Sequence, residues 1–180
     1  MAGSPTAFRE RLDREVLQHA VIRANPYTAW FKHGEFSPTQ ARAFLVQFSV
    51  FSNQFLVAQL QKVLNAETID EMRASKEILA NEIGVGFRGK GGDALLGSTL
   101  GSVEGGTFHF RAAHFELLAR MARQFGLDFA ELGKRRIGTG ATLHFCDELQ
   151  RLYAHEDYQV AAAASWAVEN WAAAGFWDEL

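Results

Sequence analysis

Apolar side chains recur at helical spacing along nearly the whole chain, and this pattern constrains the fold more than any other feature. The clearest case is a run of phenylalanines spaced by four, three and four residues, which forms one face of a long helix: Phe44, Phe48, Phe51 and Phe55. Its start is predicted at Ser37-Pro38, because serine is a preferred N-cap and proline a preferred first helical residue. No segment alternates convincingly with period two, so the sequence predicts an all-α helical bundle.

Further helices follow from capping signals and apolar spacing. Thr68 and Glu71 form a capping box ahead of a helix that is predicted to end near Gly84. The other predicted helices cover residues 8–24, 108–125 and 143–153, and a last one runs from about residue 157 to the terminus. Residues 84–106 are rich in glycine and long for a connection in a compact domain. We interpret them as a loop or an insertion, for example a lid.

Composition and charge limit the class of protein. With 180 residues, 48% of them hydrophobic and 22% charged, the chain can form a single helical domain over residues 1–180. A net charge of -3 gives no basic field, so neither nucleic acid nor an anionic membrane is an expected partner. We find neither a secretory signal nor a segment apolar enough to cross a bilayer, which predicts a cytoplasmic protein. The single cysteine, Cys146, excludes an intramolecular disulfide.

Three ionisable residues fall on the apolar faces of three different predicted helices. On a helical wheel, Glu82 lies at the margin of its apolar face, whereas Glu77 lies nearly opposite. His114 lies among inward-facing apolar residues, and Glu169 lies in the middle of the apolar face of the last helix. Because buried charges need a counter-charge or a metal, we select Glu82, His114 and Glu169 as candidate metal ligands. The candidate substrate pocket combines four residues around Glu169 with one glutamine of the phenylalanine helix: Ala162, Ser165, Trp166, Ala173 and Gln47. Gln47 fits a polar flank of its helix equally well.

The residue types favour some metals over others. Two carboxylates and one imidazole suit non-haem iron or manganese better than zinc. The spacing differs from the Glu-x-x-His pairs of ferritin-like proteins, which disfavours that class. Taken singly, His114 also fits a hydrogen-bonded core histidine, and Glu82 fits a side chain that reaches solvent. Glu169 differs from both, because its apolar surroundings offer no cation in sequence.

Several short segments of the chain resemble one known superfamily. They are Asn25-Pro26-Tyr27, Gly34-Glu35-Phe36-Ser37, Asn81-Glu82-Ile83-Gly84 and His114-Phe115-Glu116-Leu117-Leu118. These segments resemble the haem-oxygenase-like superfamily, which includes thiaminase II and the pyrroloquinoline-quinone synthase, and within it the iron-containing diiron oxidases. The resemblance implies that Glu82, His114 and the later Glu169 bind iron. It also implies an oxidoreductase that uses O2 to act on a small-molecule substrate.

The chain departs from that family pattern near its end. No histidine follows His155, so the ligands of half a diiron site are absent and the bundle lacks its last one or two helices. A complete site would hold two iron ions, whereas this chain would hold one or none. Two alternatives remain open. One is a non-catalytic helical interaction module that exposes Trp171, Phe176 and Trp177, for example to a second copy in a homodimer; the other is a metal-free enzyme that binds an aromatic heterocycle.

Overall fold

The structure is a computed structural model that describes residues 4–34, 36–86, 107–108 and 113–174. Apart from one two-residue antiparallel ladder, the regular secondary structure of these residues is helical, which confirms the all-α class. The haem-oxygenase-like type stays a prediction. The α-helices are α1 (Pro5–Leu12), α2 (Ala20–Arg23), α3 (Pro26–Lys32), α4 (Pro38–Leu64), α5 (Ile69–Glu82), α6 (His114–Gln124), α7 (Gly140–Tyr153) and α8 (Tyr158–Ala173), and the ladder joins β1 (Val85–Gly86) to β2 (Thr107–Phe108).

The chain divides into two compact units. One unit comprises residues 1–37 with residues 162–180, and the other comprises residues 38–161. The organisation of residues 1–180 as a single domain stays a prediction.

The predicted helix over residues 8–24 is interrupted in the first unit. Helix α1 continues into a π-helical turn at Asp13–Leu17, and a new helix begins after His19, whose Nδ1 accepts the Val21 N–H at 3.2 Å. Asn25 then caps α3, because its Oδ1 accepts the Tyr27 N–H at 3.0 Å. The prediction of one continuous helix is therefore wrong. Local capping side chains divide the segment into short helices.

Helix α4 is the central helix of the second unit. It begins at Pro38, as predicted, and packs against α5, α6 and α7. Successive rings of the phenylalanine stripe lie 5.6 or 5.7 Å apart, and the stripe continues onto Phe145 and Tyr153 of α7. Phe55 is buried and the other three phenylalanines are half-buried, so the stripe packs against α7 with part of its surface exposed.

The same helix meets a criterion for crossing a membrane. It has 27 residues and a mean hydropathy of 1.3 in its most apolar stretch, so the expectation that no segment is long and apolar enough is wrong. Length and composition do not distinguish a membrane span from a core helix, and other helices cover part of α4. Cellular location stays a prediction.

Helix α5 begins at the predicted capping box. Thr68 Oγ1 accepts the Glu71 N–H at 3.2 Å, and Glu71 Oε2 accepts the Thr68 N–H at 2.9 Å. These bonds satisfy amide groups that the start of a helix leaves unpaired. The hydroxyl of Tyr158, at the start of α8, donates to Glu71 O at 3.1 Å and lies 3.0 Å from Ser75 Oγ. Polar contacts thus hold the first turn of α8 against α5.

Candidate metal centre

The short ladder brings the end of α5 close to the start of α6. Gly84 adopts a φ of 94°, a left-handed conformation that favours glycine, and it turns the chain out of α5 into β1. Strands β1 and β2 then pair in antiparallel register just before the chain enters α6. The two ends of the glycine-rich segment therefore meet. Residues 87–106 of that segment lie outside the described part of the chain.

Two of the three candidate ligands meet at this junction. Glu82 is the last residue of α5 and His114 is the first residue of α6. Glu82 Oε1 lies 3.0 Å from His114 Nδ1, although the two residues are 32 positions apart in sequence. The Glu82 side chain is 13% exposed and the His114 side chain is 47% exposed. The carboxylate is therefore sheltered, whereas solutes can reach the imidazole.

This separation fits two donors of one metal ion. Bonds from a metal to carboxylate oxygen or imidazole nitrogen are about 2.1 Å long, so adjacent donors around an octahedral ion lie about 3.0 Å apart. The distance also fits a hydrogen bond, in which Glu82 would orient the ring and His114 would offer Nε2 to a metal. Among the residues that the structure describes, no group of three or more His, Cys, Asp or Glu side chains could hold a metal ion. The described residues therefore bring together two possible donor groups, and their role as metal ligands stays a prediction.

The structure corrects the predicted burial of two candidates. His114 is exposed rather than inward-facing, because it starts α6, and the buried residues of that helix, Leu118 and Ala122, lie further along it. Glu169 is exposed too, so its apolar neighbours on α8 do not enclose it as predicted. Glu169 belongs to the unit of residues 1–37 and 162–180. Its role as a ligand stays a prediction.

The predicted pocket residues fall into both units. Gln47 Nε2 donates to Ile137 O at 2.9 Å and its Oε1 accepts the Thr139 N–H at 2.7 Å, and its role in a pocket stays a prediction. Both ends of the amide thus hold the chain that leads into α7. On α8, Ser165 is buried, Ala162 and Trp166 are half-buried, and the side chain of Ala173 lies outside the described part. A pocket formed by these α8 residues stays a prediction.

Sequence reasoning missed a groove on the surface of α6. This α6 groove has a volume of about 430 Å³ and is lined by Glu116, Ala119, Arg120 and Arg123 of α6 and by Phe129 of the next turn. All five residues belong to the unit of residues 38–161. The sequence does contain a signal for this groove. Arg120 and Arg123 lie three residues apart on one predicted helix, so their side chains are expected to be neighbours.

Cys146 is buried in α7, where a cysteine behaves as a small apolar residue. Burial raises the pKa of its thiol, and the charge of Arg135 lowers it by less. We expect iodoacetamide at pH 8 to modify Cys146 at least about 100-fold more slowly in the native protein than in urea, because the reaction needs an exposed thiolate. Mass spectrometry gives both rates. Equal rates would contradict the burial of this side chain.

Comparison with known proteins assigns no family to the chain. No protein-family model matches it, and neither a curated protein nor a solved structure matches it. The resemblance to the haem-oxygenase-like superfamily therefore rests on the short segments named above and stays a prediction.

Proposed function

We propose that this chain is an iron-dependent oxidoreductase of the haem-oxygenase-like diiron-oxidase type, which uses O2 to oxidise a small molecule. The contact between Glu82 and His114 carries the proposal. It supports the proposal because the family resemblance implies that these two residues bind iron. The β1–β2 ladder brings the two residues together although they are 32 positions apart in sequence.

Each residue of the pair has a distinct role in this proposal. Glu82 supplies a negative charge that offsets the charge of a cation, and its low exposure strengthens that attraction. His114 supplies a neutral nitrogen donor on the accessible side of the pair. Oxygen and nitrogen donors of this kind suit iron(II) with open coordination positions, and bound iron would supply the centre at which O2 is reduced and substrate oxidised. Glu169 is the proposed third ligand.

Iron binding to designed variants tests this proposal. We expect the wild-type chain to bind iron(II) under anaerobic conditions, and we expect Glu82→Gln and His114→Ala each to weaken binding by at least about tenfold. Matched controls are Glu77→Gln on the same helix as Glu82 and His144→Ala on α7, which should bind iron as the wild type does. Isothermal titration gives the affinity, and circular dichroism checks that each variant is folded.

The outcomes separate the proposal from its alternatives. Equal affinity in the wild type and in both the Glu82 and His114 variants would remove the pair from any metal site. No iron binding by the wild type would favour the interaction module or the metal-free enzyme. A loss of affinity in Glu169→Ala as well would add the third ligand to the site.

A further inference from the structure

Two arginines of α6, Arg120 and Arg123, line the α6 groove. Within the part of the chain that the structure describes, neither the Arg120 nor the Arg123 side chain has a hydrogen bond or an ion pair. The other described arginines of residues 38–161 each bind a carboxylate or a backbone carbonyl: Arg42, Arg73, Arg135, Arg136 and Arg151. The α6 groove thus offers guanidinium groups whose donors are open to a ligand.

The positions of these arginines favour a shared anion. Residues three apart on a helix have neighbouring side chains, so the two positive charges repel each other weakly. An anion between them would remove that repulsion and receive charge-assisted hydrogen bonds from both. Glu116 also lines the groove and lies one turn before Arg120, so the lining carries one net positive charge. This charge balance favours a ligand with one negative charge over a polyanion.

The remaining lining favours an aromatic body on that ligand. The ring of Phe129 is 58% exposed, and its edge-on contact with Phe115, at 6.1 Å between ring centres, holds it in place. Lys134 Nζ lies over one face of the Phe129 ring, 5.2 Å from its centre, and is not part of the groove lining. Ala119 also lines the groove, and its small side chain adds apolar surface without filling it. An exposed aromatic ring beside cations can pack against the ring of a ligand while a charged substituent of that ligand pairs with the cations.

We propose that the α6 groove binds a small aromatic carboxylate. The carboxylate accepts hydrogen bonds from Arg120 and Arg123, and the ring of the ligand packs on Phe129. The α6 groove has a volume of about 430 Å³ and is open at the protein surface. This site does not depend on the iron site, because none of its residues is a proposed metal ligand.

Benzoate is the probe that tests this inference. We expect ¹H–¹⁵N NMR spectra of the full chain to show saturable shifts at α6 and Phe129 on addition of benzoate. Benzamide, which has the same shape without the charge, should bind at least about tenfold more weakly. Arg120→Gln and Arg123→Gln should each weaken benzoate binding about tenfold, whereas Arg9→Gln, the same change at an exposed arginine elsewhere, should not alter it. Glu82→Gln should also bind benzoate normally, which separates this site from the metal centre.

Three results would overturn the proposal. Equal affinities for benzoate and benzamide would exclude recognition of the charge. Unchanged benzoate binding in both arginine variants would exclude the α6 groove as the site. Inorganic phosphate that binds as tightly as benzoate and shifts the same resonances would show a general anion patch with no preference for an aromatic ring.

Discussion

Replacement of Gly133 by alanine is expected to lower the free energy of unfolding by about 2–5 kcal/mol. Gly133 adopts a φ of 69°, and a residue with a Cβ pays about 1–2 kcal/mol for that conformation. The new Cβ would also lie 2.7 Å from Phe115 Cζ and 2.9 Å from Phe115 Cε2. Crowding of this kind in a packed interior costs about 1–3 kcal/mol more.

The surroundings of Gly133 resist a movement that would relieve this crowding. The Gly133 N–H donates to Ser49 Oγ at 2.9 Å, and the Gly133 carbonyl accepts from Asn53 Nδ2 at 2.9 Å, so two side chains of α4 hold the backbone. Phe115 packs against the hydrophobic core on one side and meets Phe129 edge-on. Relief therefore requires either broken hydrogen bonds or a displaced core ring.

Urea unfolding of matched glycine variants checks this prediction. Gly126 has a similar φ of 70°, but a Cβ there would meet only the flexible end of Arg42, at 3.0 Å, so Gly126→Ala should cost about 1–2 kcal/mol. Gly140 has no positive φ and nothing within 4 Å, so Gly140→Ala should leave stability unchanged or raise it by about 0.5–1 kcal/mol. If Gly133→Ala were no more destabilising than Gly126→Ala, the Phe115 ring would be free to move aside.

Helix starts could be predicted where their signals are local. Pro38 and the capping pair of Thr68 and Glu71 lie where α4 and α5 begin, because capping needs only residues within one turn. Capping also explains why the prediction of one continuous helix over residues 8–24 is wrong. His19 and Asn25 each cap a new short helix, whereas apolar spacing alone suggested one continuous element.

The start of α6 could not be predicted, because it depends on a distant partner. The sequence places a helix over residues 108–125, but the described helix begins at His114. Phe108 instead pairs with Val85 across the ladder. Pairing between strands this far apart leaves no periodic signal in segments of two residues.

Burial on α6 also differs from the helical wheel. On the wheel, the inward-facing apolar residues around His114 are Leu118, Met121 and Phe125. Leu118 is buried, as this arc predicts, but Met121 and Phe125 are 44% and 36% exposed, and Ala122 is buried instead. The buried face passes through Ala122 because a small side chain allows close packing, and side-chain hydrophobicity alone does not report this. These exposed side chains lie on the same helix as His114, whose exposure the wheel also missed.

The sequence predicted which residues of the candidate site meet, but it did not predict their exposure. The residue types and the family resemblance selected Glu82 and His114, and the structure brings them into contact. Their unequal exposure could not be predicted, because it depends on where α5 ends and α6 begins. The role of Gln47 was missed because its partners are backbone groups near residue 138, which a search for side-chain chemistry does not detect.

Replacement of Gln59 by methionine is expected to raise the free energy of unfolding by about 1–3 kcal/mol. Gln59 lies on α4 and is fully buried, and among the described residues neither its Nε2 nor its Oε1 has a hydrogen-bond partner. A buried amide without partners costs about 1–3 kcal/mol in proteins. Methionine has a similar length and adaptable shape but no amide, so it removes this cost and preserves most of the packing.

The same substitution at Gln54 provides a matched control of opposite sign. Gln54 Oε1 accepts a hydrogen bond from Gln150 Nε2 at 3.1 Å, so Gln54→Met leaves that donor without its partner and should destabilise the chain by about 1–2 kcal/mol. Urea unfolding of both variants measures the change in the free energy of unfolding, and we expect opposite signs for the two. Destabilisation by Gln59→Met equal to that by Gln54→Met would contradict the prediction, and it would show that the Gln59 amide bonds to a buried water. The sign of the change at Gln59 therefore distinguishes a dry amide from a hydrated one in the core around α4.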